Sequence, residues 1–210
     1  MTAPSVRRPS PQRTSTTYVQ NRLRGAQIVA LHRVSKNLSA RRAATYSRPR
    51  SAATFSAPEA VPSRPGLVLS SRPWQVRYLP LRQARVNAAA TLLAFTTTSA
   101  AGAPIAITGT VLVPREPWTG TGPRPLTVLG SGTVGTGNHC APSKMLRSGQ
   151  HYDIGSLTAL LRRGHAVAVP DYEGLGFPGL HPYLNRRSLG QSMLDMARAA
   201  RTAGVSVDPD

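Results

Sequence analysis

Residues 153–176 read DIGSLTALLRRGHAVAVPDYEGLG. Leucines at helical spacing, Asp153 as a cap, two arginines in the last turn and Gly164 as a stop predict a helix. The inward-facing leucines are Leu157, Leu160 and Leu161. The short apolar run at 166–169 follows at once and predicts a buried strand. A helix that leads directly into such a strand indicates an α/β fold with a parallel sheet and helical crossovers.

Upstream of this stretch the sequence predicts three more strands. Two of them, at 86–97 and 105–113, are rich in β-branched and aromatic residues and flank a turn with Gly102 and Pro104, which predicts a hairpin. The third strand, at 126–129, is short and is followed by the glycine-rich loop GSGTVGTG. The order is therefore a hairpin followed by strand, helix, strand and helix.

Downstream, a second helix is predicted to begin at Ser188 and to end at Gly204. Ser188 and Gln191 match a capping box, in which the side chain of each residue accepts a hydrogen bond from the backbone N–H of the other. Four apolar residues at helical spacing predict the buried face. They are Leu189, Met193, Met196 and Ala200. A further strand is expected at 205–210, where the sequence reads VSVDPD.

The charge of the chain is concentrated at its front. The 210 residues carry a net charge of +18, but residues 1–85 hold sixteen of the basic residues and only Glu59 as an acid. Residues 86–210 hold ten basic and seven acidic residues, which is an ordinary balance. Residues 1–64 also lack sustained apolar periodicity, so we predict a disordered basic segment there and one globular domain over 65–210.

Three interpretations of residues 1–64 remain open. The segment is a basic tail that binds nucleic acid, a transit-type peptide, or sequence that is not part of the natural protein because the start codon is placed too early. Basic tails usually combine lysine and aromatic residues with arginine. Here Lys36 is the one lysine, which favours the misplaced start. The alternative function is that of a basic protein that binds nucleic acid through this arginine-rich N-terminal segment; the favoured interpretation expects no nucleic-acid partner.

Cysteine content and hydropathy restrict the setting. Cys140 is the only cysteine, so no disulfide forms within these 210 residues. No run of about 18 apolar residues predicts a transmembrane helix. The best candidate for a secretory signal, at 26–31, is too short and contains Gln27.

Two glycine patterns of the form G-x-G-x-x-G follow predicted strands. They are Gly130, Gly132 and Gly135, and Gly174, Gly176 and Gly179. A dinucleotide site needs a helix that starts at the third glycine. Pro142 and Gly149 follow the first pattern and Pro178 and Pro182 the second, so neither supplies that helix. We expect no cofactor and interpret the glycines as backbone brought close to a ligand or to a neighbouring loop.

Two carboxylates, Asp171 and Glu173, follow the strand at 166–169, where α/β sheets place functional groups. They suit acid/base catalysis, but the favoured interpretation is that they brace the loop through backbone N–H groups and a nearby arginine. The histidines show no metal-ligand spacing, so no metal is expected. They include His139, His151, His165 and His181.

From about residue 65 onward, over about 145 residues, the sequence resembles the secretory lipase family of α/β-hydrolases. Several stretches carry the likeness, and their order and spacing make it specific. They are GTVLVP at 109–114 with Pro117 and Trp118 after it, the strand and loop at 126–137 running into CAPS at 140–143, DYEGLG at 171–176, and LDMAR at 194–198.

The resemblance implies hydrolysis of carboxylic esters, such as lipids, by a Ser-Asp-His triad through an acyl-enzyme. Among the serines, Gly190-Gln191-Ser192 comes nearest to the nucleophile motif G-x-S-x-G, but it lies inside a predicted helix. The motif would follow the strand expected at 205–210. We therefore expect the nucleophile, the acid and the base beyond Asp210, and no catalytic triad residue within this chain.

The resemblance also assigns the loop after the third strand as a source of one oxyanion-hole N–H. Thr133 is the first candidate by position and Gly132 the second, unless these residues only turn the chain. His139 stands where related sequences often have an acidic residue, and Cys140 would pair with a distant cysteine after export. The family implies an extracellular protein, a point that rests on the resemblance alone.

Overall fold

A five-stranded sheet organises the part of the chain that the computed structural model describes, which is residues 55, 56, 58–133 and 135–203. The strands are β1 (Val68–Trp74), β2 (Ala88–Thr98), β3 (Pro104–Pro114), β4 (Leu126–Val128) and β5 (Ala166–Pro170). The helices are α1 (Pro142–Ser148), α2 (Ile154–Arg162) and α3 (Arg186–Thr202). The strand order across the sheet is β1-β2-β3-β5-β4.

The predicted hairpin is confirmed. β2 and β3 pair antiparallel without a break in register, from Ala88 opposite Pro114 to Thr98 opposite Pro104. Gly102 adopts φ 85° in the turn between them, a left-handed conformation that suits glycine. β5 then pairs antiparallel with β3 and parallel with β4. The chain thus crosses from β4 to β5 by way of α1 and α2, as a parallel pair requires.

Helices cover both faces of the sheet. β5 is buried along its whole length, and its side chains alternate between the two layers. Val167 and Val169 pack with Leu146 of α1 and with Leu157 and Leu161 of α2. On the other face, a second cluster joins the sheet to α3; it contains Phe95, Ile107, Ala168, Met196 and Ala199. The α/β class is confirmed, with α1 and α2 on one side and α3 on the other.

Two elements differ from the sequence prediction because local signals hide them. β1 is an edge strand with Pro73, an irregular register between Val68 and Ser70, and a mixed burial pattern. Edge strands tolerate proline, since one side needs no ladder hydrogen bonds. α1 begins at Pro142, which we expected to delay a helix. Proline fits the first helical position, where its missing N–H would have no intrahelical partner.

The start of α3 also corrects a prediction. Asn185, and not Ser188, caps the helix: its side chain accepts a hydrogen bond from the Ser188 backbone N–H at 3.0 Å. The capping box is therefore wrong. The buried face includes Ser192 and Asp195 beside Met196, because these polar groups are hydrogen-bonded. Asp195, for example, accepts from the Thr97 hydroxyl at 2.7 Å.

Some predictions lie outside the described residues. They concern most of the basic segment 1–64, the end of the last helix at Gly204 and the strand at 205–210. Within the described ranges, none of the helices is both long and apolar enough to cross a lipid bilayer.

Candidate functional site

Two loops meet beyond the carboxyl ends of the parallel strands β4 and β5, where open α/β sheets bind ligands. We call residues 130–137 the β4 loop and residues 171–185 the β5 loop. Just after the β4 loop, the side-chain oxygen of Asn138 accepts hydrogen bonds from the Gly176 backbone N–H at 2.9 Å and from Lys144 Nζ at 2.8 Å. The β5 loop is therefore tied to the segment that leads into α1.

Asp171 lies at the centre of this connection and is fully buried. Its carboxylate accepts hydrogen bonds from the Ser143 backbone N–H at 2.6 Å, from the Ser143 hydroxyl at 2.5 Å and from the Thr108 hydroxyl at 2.5 Å. Burial raises the pKa of Asp171, whereas these donors and the nearby Lys144 lower it. The carboxylate thus joins β3, α1 and the β5 loop. It braces the structure, as the favoured interpretation has it, but with Lys144 nearby in place of an arginine.

Glu173 performs a similar structural task on the other side of the loop. Its carboxylate accepts hydrogen bonds from the Ala100 backbone N–H at 2.8 Å and from the Ser188 hydroxyl at 2.5 Å. It thereby connects the hairpin turn to the first turn of α3. Both carboxylates, Asp171 and Glu173, therefore accept hydrogen bonds from backbone N–H and hydroxyl groups of neighbouring elements.

The β4 loop is anchored at Ser131, which is buried. The Ser131 hydroxyl lies 2.8 Å from Nε2 of His151, a residue just before α2 that is only 2% exposed. The Tyr172 hydroxyl donates to the Ser131 carbonyl oxygen at 3.1 Å. Ser131 is thus held through its side chain and its backbone at once.

Tyr172 reaches Ser131 from an unusual backbone conformation. Its φ of 68° is in the left-handed region, which bulky side chains rarely adopt, and its side chain is 6% exposed. Burial raises the pKa of Tyr172 to about 12, so its hydroxyl stays protonated and remains a donor. The strained residue is therefore fixed by the contact that it makes with the β4 loop.

The two predicted oxyanion-hole residues, Gly132 and Thr133, directly follow this anchor and are exposed. A Cβ atom added to Gly132 would lie 2.1 Å from the Tyr152 hydroxyl oxygen, so that hydroxyl covers the Gly132 backbone. The Thr133 hydroxyl lies 3.1 Å from the Tyr183 hydroxyl. Gly132 and Thr133 are thus exposed residues that lie beside the phenol groups of Tyr152 and Tyr183.

The remaining histidines do not converge. His139 is exposed, His165 Nδ1 lies 3.0 Å from the Thr127 hydroxyl, and His181 Nδ1 lies 2.7 Å from the Glu173 carbonyl oxygen. Among the described residues, no group of three histidine, cysteine, aspartate or glutamate side chains could hold a metal ion. Cys140 is half-buried and has a free thiol.

A cleft of about 760 Å³ lies elsewhere, beside the amino end of β5, and its lining includes Trp118, Ile154 and Gly164. Neither Gly132 nor Thr133 borders it. The β4 and β5 loops lie at the other end of β5. The cleft is therefore separate from the predicted oxyanion residues.

Sequence reasoning placed the β4 loop but missed the residues that hold it. In the sequence, His151 shows no metal-ligand spacing, and Tyr172 stands out only as part of the family-like stretch at 171–176. Their contacts with Ser131 cross 20 and 41 residues of chain, so no local spacing reveals them. The left-handed Tyr172 likewise has no sequence signature, because tertiary contacts impose it.

No protein-family model and no curated protein matches the chain. Among solved structures, it is similar to Candida antarctica lipase A in its closed state, with a TM-score of 0.57 and 22% identity over 70% of this chain and 34% of that one. A second structure of Candida antarctica lipase A gives a TM-score of 0.53 and 23% identity over 66% and 32%.

The rice cell wall degrading esterase LipA from Xanthomonas oryzae is also similar, with a TM-score of 0.51 and 24% identity over 66% of this chain and 38% of that one. The chain thus spans about a third of the length of these structures. The likeness to lipases and esterases agrees with the resemblance seen in the sequence. It shows that the chain shares the fold of the corresponding part of these enzymes, which fits an incomplete α/β-hydrolase fold.

Proposed function

We propose that the chain belongs to a hydrolase of carboxylic esters, of the lipase or esterase type, and that its β4 loop supplies an oxyanion-hole N–H. The observation that carries this proposal is that the β4 loop has a fixed residue directly before two exposed ones. Ser131 is buried and hydrogen-bonded on two sides, while Gly132 and Thr133 next to it are exposed at the carboxyl edge of β4 and β5.

An exposed backbone next to a rigid anchor suits the chemistry of ester hydrolysis. The tetrahedral intermediate of acyl transfer carries a negative oxygen, and fixed backbone N–H groups stabilise it without having to reorganise. Thr133 is the preferred donor and Gly132 the second. Because residue 132 is a glycine, the Tyr152 hydroxyl can lie beside its backbone, in space that a Cβ atom would otherwise fill.

The nucleophile, the acid and the base are proposed to lie in polypeptide that follows Asp210. β4 is at the end of the strand order, and within the described residues no strand pairs with its outer side. A further strand on that side, leading into a nucleophile elbow, would bring its serine next to the β4 loop. The substrate is then a lipid or another ester, and the protein acts outside the cell, as its resemblance to secretory lipases implies.

The reading frame after Asp210 tests this proposal. It requires an apolar strand followed by G-x-S-x-G within about 20 codons, because the elbow serine sits on a strand-to-helix turn. Sequencing the genomic DNA past this codon should reveal the motif in one of the three frames. If all three frames lack it, the proposal is wrong.

A further inference from the structure

Resting on the proposed function, we propose that His151 is a positioning residue for the oxyanion hole: it holds Ser131 so that the backbone at Gly132 and Thr133 keeps one conformation. His151 itself touches no reacting atom in this scheme. It acts through Ser131, whose hydroxyl is 2.8 Å from its Nε2 atom.

The loop needs such an anchor because its sequence is rich in glycine. Residues 130–137 contain four glycines, and glycine loses more conformational freedom on ordering than any other residue. Preorganised donors are effective in catalysis only if they need not be ordered during the reaction. The contacts at Ser131 lie near the start of this glycine-rich sequence, directly before the exposed Gly132 and Thr133.

Burial gives the contact its strength. Ser131 is 8% exposed and His151 is 2% exposed, so water does not compete well for either group. Tyr172 fixes the carbonyl of the same serine from the other side, at 3.1 Å. Together the two contacts hold the side chain and the carbonyl group of Ser131, which restricts the peptide unit that leads into Gly132.

The hydrogen-bond partners assign the proton on His151. Its Nδ1 atom is buried and has no hydrogen-bond partner among the described residues. An unpaired N–H is expensive in such a place, so the neutral tautomer with hydrogen on Nε2 is favoured and donates to the Ser131 oxygen. Protonation would give the ring a second N–H group, on the buried Nδ1 atom, which has no acceptor among the described residues. The anchor therefore works best when His151 is neutral.

Substitutions at three positions separate this role from general stability. Ser131→Ala removes the acceptor and His151→Leu removes the donor. His151→Gln keeps an N–H near the place of Nε2 but cannot take up a proton. The matched controls are His165→Leu, which breaks the similar pair with Thr127 within β4, and Ser192→Ala, which breaks a buried serine contact inside α3.

The measurement is hydrogen–deuterium exchange of the 210-residue chain, read by mass spectrometry on peptides from the β4 loop and from α3. We expect Ser131→Ala and His151→Leu to speed exchange in the loop about 3- to 10-fold with α3 unchanged, since one hydrogen bond is lost. His151→Gln should stay within about twofold of the wild type. The control variants should leave the loop unchanged.

The pH dependence adds a readout that a purely structural contact would not show. Corrected for intrinsic exchange, opening of the wild-type loop should increase from about pH 7.5 to about 5.5, while that of His151→Gln should not. The proposal would be overturned if Ser131→Ala left the exchange rate of the loop unchanged, or if His151→Leu and His151→Gln gave equal exchange rates. Because none of these readouts needs turnover, they remain valid even if the proposed ester hydrolysis is wrong.

Discussion

Ser143 donates two hydrogen bonds to Asp171, one from its backbone N–H at 2.6 Å and one from its hydroxyl at 2.5 Å. Ser143 lies in the first turn of α1, where backbone N–H groups have no partner within the helix. The Asp171 carboxylate accepts from one of these N–H groups, and its negative charge interacts favourably with the positive end of the helix dipole. This contact explains how a helix of seven residues is held in place next to the β5 loop.

Removing this carboxylate should be costly. Asp171→Ala leaves buried donors on Ser143 and Thr108 without an acceptor, so we expect a loss of about 2–4 kcal/mol in the free energy of unfolding. Urea denaturation measures it. Glu116→Gln, at an exposed carboxylate that accepts from Asn87, is the control and should change stability by less than about 0.5 kcal/mol. Equal stability of the two variants would mean that Asp171 does not brace the fold.

Glycine substitutions should have opposite signs at two positions. Gly176 has φ 87°, and an added Cβ would lie 2.0 Å from the Thr108 hydroxyl oxygen. Gly176→Ala should therefore cost about 2 kcal/mol or more. Gly190 is exposed in α3 with open space around it, so Gly190→Ala should stabilise the chain by up to about 1 kcal/mol. Melting temperatures that move in the same direction for both variants would contradict this description.

Stability should depend on pH through His151. Burial lowers the pKa of His151 below its ordinary value of 6.5, although the nearby Asp153 raises it. Tyr152, stacked on the ring at 5.8 Å, stays uncharged in this range. When the pH falls below about 6.5, the unfolded chain takes up a proton before the folded one does. The stabilisation is therefore fully present above about pH 6.5 and is lost as the pH falls toward the folded-state pKa.

Urea denaturation of the wild type and of His151→Gln between about pH 8 and pH 5 checks this dependence. The wild type should lose at most about 1.4 kcal/mol per pH unit more than the variant below pH 6.5. A His151→Gln curve parallel to that of the wild type would show that His151 does not titrate with folding.

The sequence was informative wherever one residue type does one local task. Leu157 and Leu161 identified the buried face of α2, and Gly164 stops the chain there with φ 86°. Prediction from the sequence failed where a residue contacts an element that is distant along the chain. Ser188 looks like a helix cap, yet its hydroxyl donates to Glu173, and Asn185 does the capping.

The same limit applies to the candidate site. The position of Gly132 and Thr133 after a short strand could be predicted from the order of elements. The anchor could not, because the ring of His151 reaches Ser131 only once α2 packs on the sheet. Cross-chain contacts of this kind depend on how layers pack, which spacing along one chain does not encode.

The most direct test of ester hydrolysis is the turnover of a p-nitrophenyl ester by a polypeptide that continues through the downstream coding sequence, beside the 210-residue chain. We predict that the longer polypeptide hydrolyses the ester and is blocked by a serine-directed phosphonate, while the 210-residue chain is no faster than buffer, because the triad supplies the nucleophile and the base. Phosphonate-sensitive turnover by the 210-residue chain alone, or none by the longer polypeptide, would contradict the proposal.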